Sequence, residues 1–459
     1  MGDRALLLAP PLLTVLVIAL GLRIGASQEA RAAFVHGAPP SKARHGLAWT
    51  ITLVREDRGV DEPVAGEPLL VTARRAGADA VRWEGTTNAD GIAEAWLALE
   101  GAAPGDRVDL RISSPRDGAV FAHGPAIVPA GAHAAPAGPP SFLPPSHRGG
   151  TIALDVLPVD GAIAAEFPAR VLVHATDTAS GGPLARVRIA VDPEPGLEVL
   201  EPAMVLCPNG WSSFRATARA HVVGVSLRAE DPTGPTGEWY GAIPVAGGAL
   251  FASVPIEMRA NAPAEIRVQS PTPRPFAYVE ADDDQGRAFA QVVDLLPDPT
   301  GMRGGRFSLP PLPPSAGFVV ASGSPHGAEE LTGPTLAFPF FAVSDADAAR
   351  TSDCDTLPLL ANRKPNGFPR SLVLSGLTAV HASAARARHR GLTLALWTVL
   401  VAGLLEALLL LRKARRGRAA LVGLPPQLLE GRAGTVAVGV GIALLGFALL
   451  AALLLRSAE

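Results

Sequence analysis

A mainly β fold, small sandwiches strung in tandem and carried by membrane helices, is what three observations in this sequence predict. Short runs alternating between apolar and polar residues recur from Gly46 to Val343, each bounded by turn residues. Gly (48) and Pro (44) are abundant while hydrophobic residues still make up 48% of the 459 residues, which suits many short strands joined by turns rather than a disordered chain. Two apolar runs near the C-terminus, Leu392 to Leu411 and Thr435 to Leu455, each have the ~20 residues a helix needs to cross the hydrocarbon core. The full expectation is an N-terminal signal or anchor helix, tandem sandwiches and a C-terminal two-helix transmembrane hairpin.

Residues 1–27 hold a further apolar run, Ala5 to Leu22, behind Asp3 and Arg4. It reads either as a cleaved signal peptide or as a signal anchor. Small residues at Gly25, Ser27, Ala30 and Ala32 offer cleavage sites, whereas the length of the run favours an anchor and Pro10-Pro11 argues against a regular spanning helix. On either reading, residues 28 to 390 are exported.

The first sandwich is expected over 46–123. Trp49, Ile51 and Leu53 share one strand face, with Thr50 and Thr52 opposite; Val108, Leu110 and Ile112 alternate with Arg107, Asp109 and Arg111. Between these strands lie Gly66-Glu67-Pro68-Leu69-Leu70-Val71 and Thr87-Asn88-Ala89-Asp90-Gly91-Ile92-Ala93, the latter a tight turn followed by an apolar strand. This pair, G-x-P-L-x-V and T-N-x-D-G-x-A, resembles the bacterial Ig-like and macroglobulin-type β-sandwich domains. The resemblance covers about 80 residues and implies a fold, not an activity.

Residues 124–150, rich in Pro, Ala and Gly, read as an extended linker in which His133 falls, with His123 and His147 at its ends as solvated side chains. A second Ig-like sandwich follows over 151–247. Its strands and its Cys207-Pro208-Asn209-Gly210 turn before Trp211 echo the first, an internal duplication that suggests an elongated array. A β-rich third domain spans 248–345. Within it Glu280, Asp282, Asp283 and Asp284 precede Gln285-Gly286, and an acidic hairpin turn accounts for them better than a calcium loop, because Gln285 and Gln291 stand where such a loop needs Gly and Glu. Residues 346–391 form a juxtamembrane stem, in which Phe368 to Leu374 is a candidate strand and Leu377 to Arg390 a candidate helix.

The hairpin consists of helices at 392–411 and 435–455 joined by the basic loop 412–434. Arg412, Lys413, Arg415, Arg416 and Arg418 mark that loop as cytoplasmic. Arg386, Arg388 and Arg390 on the opposite side dissent but are outnumbered. Glu406 is an intramembrane ionisable residue, close enough to Arg412 to pair with it near the interface. Gly403 and Ala407 on one helix, and Ala437 and Gly441 on the other, permit close packing. The scarcity of Lys (Lys42, Lys364, Lys413) beside abundant Arg, Ala, Gly and Pro points to a GC-rich bacterial genome, and hence to the inner membrane with the bulk of the chain periplasmic or extracellular.

Chemistry is sparse. No Walker, zincin, C-x-x-C or G-x-S-x-G pattern occurs, and Ser322, Ser324 and His326 cluster in a turn without an implied acid. Catalytic, cofactor and metal residues are therefore not assigned, and no cofactor is expected. A net charge of −3 gives no field for nucleic acid. Cys207 and Cys354, an even count in an exported chain, invite a disulfide; against it stand a buried thiol at Cys207 and an exposed Cys354 paired elsewhere. The function class that results is a membrane-anchored, non-enzymatic envelope protein that touches lipid and uses its sandwiches to bind or space a protein or glycan partner. An accessory subunit of a transport or secretion complex is the alternative, and an exported hydrolase a third.

Overall fold

The computed structural model describes residues 30–41, 46–57, 60–130, 140–283, 286–299, 301–325, 335–348, 352–363 and 370–377, with 389, 393, 397–405, 408–409 and 411–412. The chain divides into two compact units. The larger comprises 33–54 and 63–375, and the other takes 1–32, 55–62 and 376–459.

The first sandwich contains β1 (Ala30–Gly37), β2 (Leu47–Asp57), β3 (Val60–Pro63), β4 (Pro68–Arg75), β5 (Val81–Thr86), β6 (Ile92–Leu97), β7 (Arg107–Ser113) and β8 (Val120–Ile127). The second contains β9 (His147–Gly150), β10 (Ile152–Pro158), β11 (Ile163–Ala164), β12 (Pro168–Asp177), β13 (Arg188–Pro193), β14 (Leu197–Val199), β15 (Ala203–Val205), β16 (Trp211–Ala218), β17 (Val222–Glu230) and β18 (Thr236–Ala246). The third contains β19 (Phe251–Ala252), β20 (Glu257–Arg259), β21 (Ala264–Ser270), β22 (Phe276–Asp283), β23 (Arg287–Asp294), β24 (Leu296–Pro297), β25 (Arg303–Leu309), β26 (Ser315–Ser322) and β27 (Leu336–Val343). Beyond it lie α1 (Asp345–Ala348), α2 (Asp353–Ala361) and β28 (Ser371–Ser375).

The strand pairings repeat three times. One sheet carries the orders β5-β4-β7-β8, β15-β13-β17-β18 and β23-β22-β26-β27 in the successive sandwiches; the facing sheet is built on the pairs β2-β6, β12-β16 and β21-β25. Each copy encloses its own apolar core, with Trp49, Phe214 and Phe340 among the most buried side chains of the three. The β-rich third block is thus a third copy of the same Ig-like topology. One turn recurs before β6, β16 and β25. In it the first residue's N–H donates to the carbonyl four residues on, and its own carbonyl accepts from the glycine N–H, as in Asn88 N to Ile92 O (2.8 Å), Cys207 N to Trp211 O (2.8 Å) and Asp298 N to Met302 O (2.7 Å). Gly91, Gly210 and Gly301 close these turns at φ of 71°, 79° and 86°, where a side chain would be strained.

Several expectations change. The first sandwich does not begin at 46, because β1 precedes it in the same sheet and β28 from the stem pairs with β1 (Val35 opposite Leu374, Gly37 opposite Ser371). The linker of 124–150 is shorter than its composition suggests. Gly124 to Ile127 complete β8, His147 to Gly150 form β9 along β18, and Phe142 and Leu143 pack on the second sandwich, leaving its Ala-rich centre at 131–139 outside the described residues. Within the larger unit the first sandwich lies against the third. Thr50, on the face of β2 opposite the core, is only 1% exposed for that reason.

Candidate functional site

Where the first and third sandwiches meet, eight polar side chains converge away from water. From the first come Ser41, Thr50 on β2 and Glu94 on β6. From the third come Glu280, Asp282 and Asp283 on β22 and Arg287 on β23, and Arg370 arrives from the stem just before β28. All are buried. Strand alternation explains their placement: Thr50 and Glu94 are cross-strand neighbours on the outward face of the first sandwich, and that face is covered rather than solvated.

Arg287 is the hub. Its Nη2 lies 3.2 Å from Glu94 Oε2 and its Nε 3.0 Å from Glu280 Oε2, while Nη1 donates to Ala48 O (3.2 Å) and Thr50 Oγ1 (3.1 Å). Thr50 in turn donates to both oxygens of Glu94 (3.1 and 3.0 Å). Arg370 pairs with the same two carboxylates more loosely, at 3.9 Å to Glu94 and 3.4 Å to Glu280, and donates to Thr50 Oγ1 at 2.8 Å. At the rim, Ser41 donates to Asp283, Arg287 N donates to Pro39 O (3.0 Å), and Tyr278 donates to Asp90 (2.9 Å) while accepting from the Asn88 amide (2.9 Å).

Two guanidinium groups thus face two carboxylates in a water-poor space. Burial opposes the charge on Arg287, but Glu280, Glu94 and Asp282 outweigh it and raise its pKa. Asp282 is the group left over: burial and then the neighbouring Glu280 push its carboxyl well above the usual carboxylate range, against the pull of Arg287 and Arg370, and its Oδ1 has no hydrogen-bond partner. A carboxyl whose pKa is raised by folding lends its full stability below the unfolded value, near pH ~4, and loses it as pH rises toward the folded value. The stability of the chain relative to Asp282→Asn should therefore fall steadily from about pH 4 upward. Denaturant midpoints of the two proteins measured across that range check this, and parallel curves would refute it.

The cysteines form a second fastening. Cys207 and Cys354 are disulfide-bonded with Cα atoms 5.7 Å apart. The bridge holds the first turn of α2 on the turn that opens β16, where the Asn209 amide also donates to Cys354 O (2.6 Å). Ser352 caps α2 by donating through both N (3.2 Å) and Oγ (2.7 Å) to Asp355. Leu357, Leu360 and Ala361 then bury against Leu172 and Trp211 of the second sandwich, and Thr356 donates to Glu257 of the third (2.8 Å). The stem is therefore no free spacer, because it touches each sandwich in turn before it leaves.

Other sequence-predicted positions are not brought together. His123 and His147 are exposed, the latter 3.9 Å from Glu238, and His133 lies outside the described residues. Ser322 Oγ accepts from Ser324 N (3.0 Å) and from Thr335 Oγ1 (3.3 Å), as a turn fastening does, while His326 lies outside the described residues. So do residues 1–27, Glu406, Lys413, Arg415, Arg416, Arg418 and the run 435–455; Arg412 is described, exposed at the end of a helical stretch. Among the described residues no helix is long and apolar enough to cross a membrane, and no cluster of His, Cys, Asp and Glu could hold a metal ion. Beside the junction, an open cleft of about 180 Å3 is lined by Trp83, Thr86, Asn88 and Glu94 from the first sandwich and Gln291 and Val292 from the third.

No protein-family model matches the chain, and no curated protein matches it in sequence. Among solved structures it is similar to invasin, a bacterial integrin-binding protein, at 14% identity over 68% of this chain and 60% of that one, with a TM-score of 0.17. It is also similar to a tetra-tandem repeat in the extending region of a large adhesion protein (14%; 69% and 75%; TM-score 0.17). A third is the native conformation of an E. coli alpha-2-macroglobulin (13%; 72% and 23%; TM-score 0.18). The match thus spans less than two thirds of invasin and under a quarter of the macroglobulin. The Ig-like, macroglobulin-type resemblance is one of fold, and it rests here on the repeated sheet order.

The junction was hidden from sequence reasoning. Glu280, Asp282 and Asp283 do lie beside a hairpin, but as buried strand residues rather than as a solvated turn. The sequence signal was local: an arginine three residues beyond a stretch holding four acids, with a polar Thr and Glu on strands whose opposite faces are apolar. As chemistry the arrangement neutralises and fixes. Its two guanidinium groups and the carboxylates of Glu94 and Glu280 are spent on one another, which suits an interdomain latch.

Proposed function

We propose that the chain is a membrane-anchored envelope protein whose exported Ig-like sandwiches act as a binding or spacer module, without catalysis of its own. The observation that carries this reading is the outward face of the helical residues at 397–405, 408–409 and 411–412. Trp397, Leu400, Val401, Leu404, Leu405, Leu408 and Leu411 are between 49% and 64% exposed, whereas Val399 and Gly403, one turn apart, are buried. Large apolar groups turned outward along a helix invert the pattern of a helix in water and suit one that faces lipid. Arg412 ends the apolar stretch where the basic loop begins, and the positive-inside rule orients that loop to the cytoplasm of a bacterial inner membrane. A binding or spacer role is supported by the buried charges between the first and third sandwiches, where Arg287 and Arg370 hold Glu94 and Glu280 and so fix the two sandwiches together.

The expected result is that the full chain stays with membranes after alkaline carbonate extraction. An export-dependent phosphatase reporter fused near residue 200 should be active, and one fused within 412–434 inactive. Release into the carbonate supernatant would remove the anchor, and the opposite reporter pattern would reverse the topology.

A further inference from the structure

We propose that the cleft between β5 and β23 is a subsite for one neutral sugar ring of a glycan, a reading that rests on the chain being a binding module. Trp83 provides the platform. A side chain at Gly85, two residues along on the same face of β5, would run into the indole ring, so the absence of one lets the ring lie flat along the strand. One side of the ring rests on the core of the first sandwich, and the ring also lines the cleft. An aromatic face bordered by Ile92 and Ala93 suits the C–H face of a pyranose, where burial of apolar surface and the ring's quadrupole act together.

The polar groups around it fix the ligand class. Thr86 on β5 and Gln291 on β23 line the cleft from the two sandwiches, both exposed and, among the described residues, with no side-chain hydrogen-bond partner. Between them they offer donors and acceptors of the kind a ring hydroxyl requires. The lining contains one carboxylate, Glu94, and its charge is already met by Arg287 and Arg370. No uncompensated charge remains to attract an ion, so a neutral polyhydroxylated ring fits better than a uronic acid or a phosphate. A volume of about 180 Å3 has room for roughly six waters, which one ring would displace, so a longer chain would run out along the open side. The two walls belong to different sandwiches, and the site exists only while the charged junction keeps them in register.

The test uses the full chain in a detergent without a sugar headgroup. Neutral hexasaccharides of glucose in α and β linkage and of N-acetylglucosamine, with a polygalacturonate oligomer as the acidic comparison, are titrated to about 10 mM and followed by tryptophan fluorescence and calorimetry. At least one neutral oligomer should bind saturably and more tightly than the acidic one. Trp83→Leu and Gly85→Val should each weaken it at least tenfold. Gln291→Ala, at an exposed position whose loss leaves the fold intact, should weaken it about threefold. Absence of binding by every neutral oligomer, equal binding by all variants, or preference for the acidic oligomer would each overturn the subsite. Failure of the broader binding-module reading is seen separately, in crosslinking of the intact envelope that captures no partner on the exported sandwiches.

Discussion

Replacing Arg287 with alanine should destabilise the packing of the first sandwich on the third by about 3–5 kcal/mol, the cost of removing one partner from a buried ion pair. The reason lies in what the substitution leaves behind. Glu94 and Glu280 are almost fully enclosed, and each contacts Arg287 within 3.2 Å. Arg370 remains, but at 3.4 and 3.9 Å and from outside the strand pair it is too poorly placed to serve both carboxylates. Arg287→Lys should fall between alanine and the native residue, since an ammonium keeps the charge but cannot span Glu94, Glu280, Thr50 and Ala48 at once. Amide hydrogen exchange in full-length protein reads this directly: protection should drop in β2, β6, β22 and β23 while β12 and β16 of the second sandwich hold theirs. A loss below about 1 kcal/mol, typical of surface pairs, would show that the junction is solvated and carries little of the interdomain fixation.

The contrast between that junction and the rest of the molecule shows which features a sequence displays. Alternation at Val108, Leu110 and Ile112 is a local property of one strand, and all three residues are buried as the pattern implies. The Asn88 and Asn209 turns are equally local, because each closes through hydrogen bonds within five residues of chain. The third turn, at Asp298, closes through the same hydrogen bonds but was harder to see, because its glycine stands two residues before the strand instead of one and Asp298 takes the place of Asn88. The fastenings are a different matter. Arg287 and Ala48 are 239 residues apart, Arg370 and Thr50 320 apart, and nothing in either neighbourhood specifies the other. Strand periodicity even misleads there. It assigns Thr50 and Glu94 to a solvated face, which holds for a lone sandwich and fails once another covers it. The candidate strand at 368–374 does form, as β28 over 371–375, but its partner was hidden: nothing in those residues points to β1, more than three hundred residues earlier.

Removing the disulfide, by Cys207→Ser together with Cys354→Ser, should lower the unfolding free energy by about 4–5 kcal/mol on the chain-entropy account, because the bridge closes a loop of 147 residues. A local effect should accompany the global one. Without the bridge, α2 is held by Leu357, Leu360 and Ala361, by its hydrogen bonds to Asn209 and Glu257, and by little else, and a helix of nine residues does not persist alone in water. Limited proteolysis of the serine variant should cut first between 345 and 370, ahead of any cut within β10 to β18. The consequence reaches the first sandwich, because Arg370 and β28 follow α2 in the chain and are the stem's contribution to the junction and to the β1 edge. Once α2 is loose, the segment that places Arg370 is tethered at one end only. The double serine variant and Arg287→Ala should therefore be non-additive, since both weaken the grip on Glu94 and Glu280. Additive losses, or a serine variant as resistant to protease as the native chain, would mean that α2 is held by its packing alone and that the bridge merely records its position.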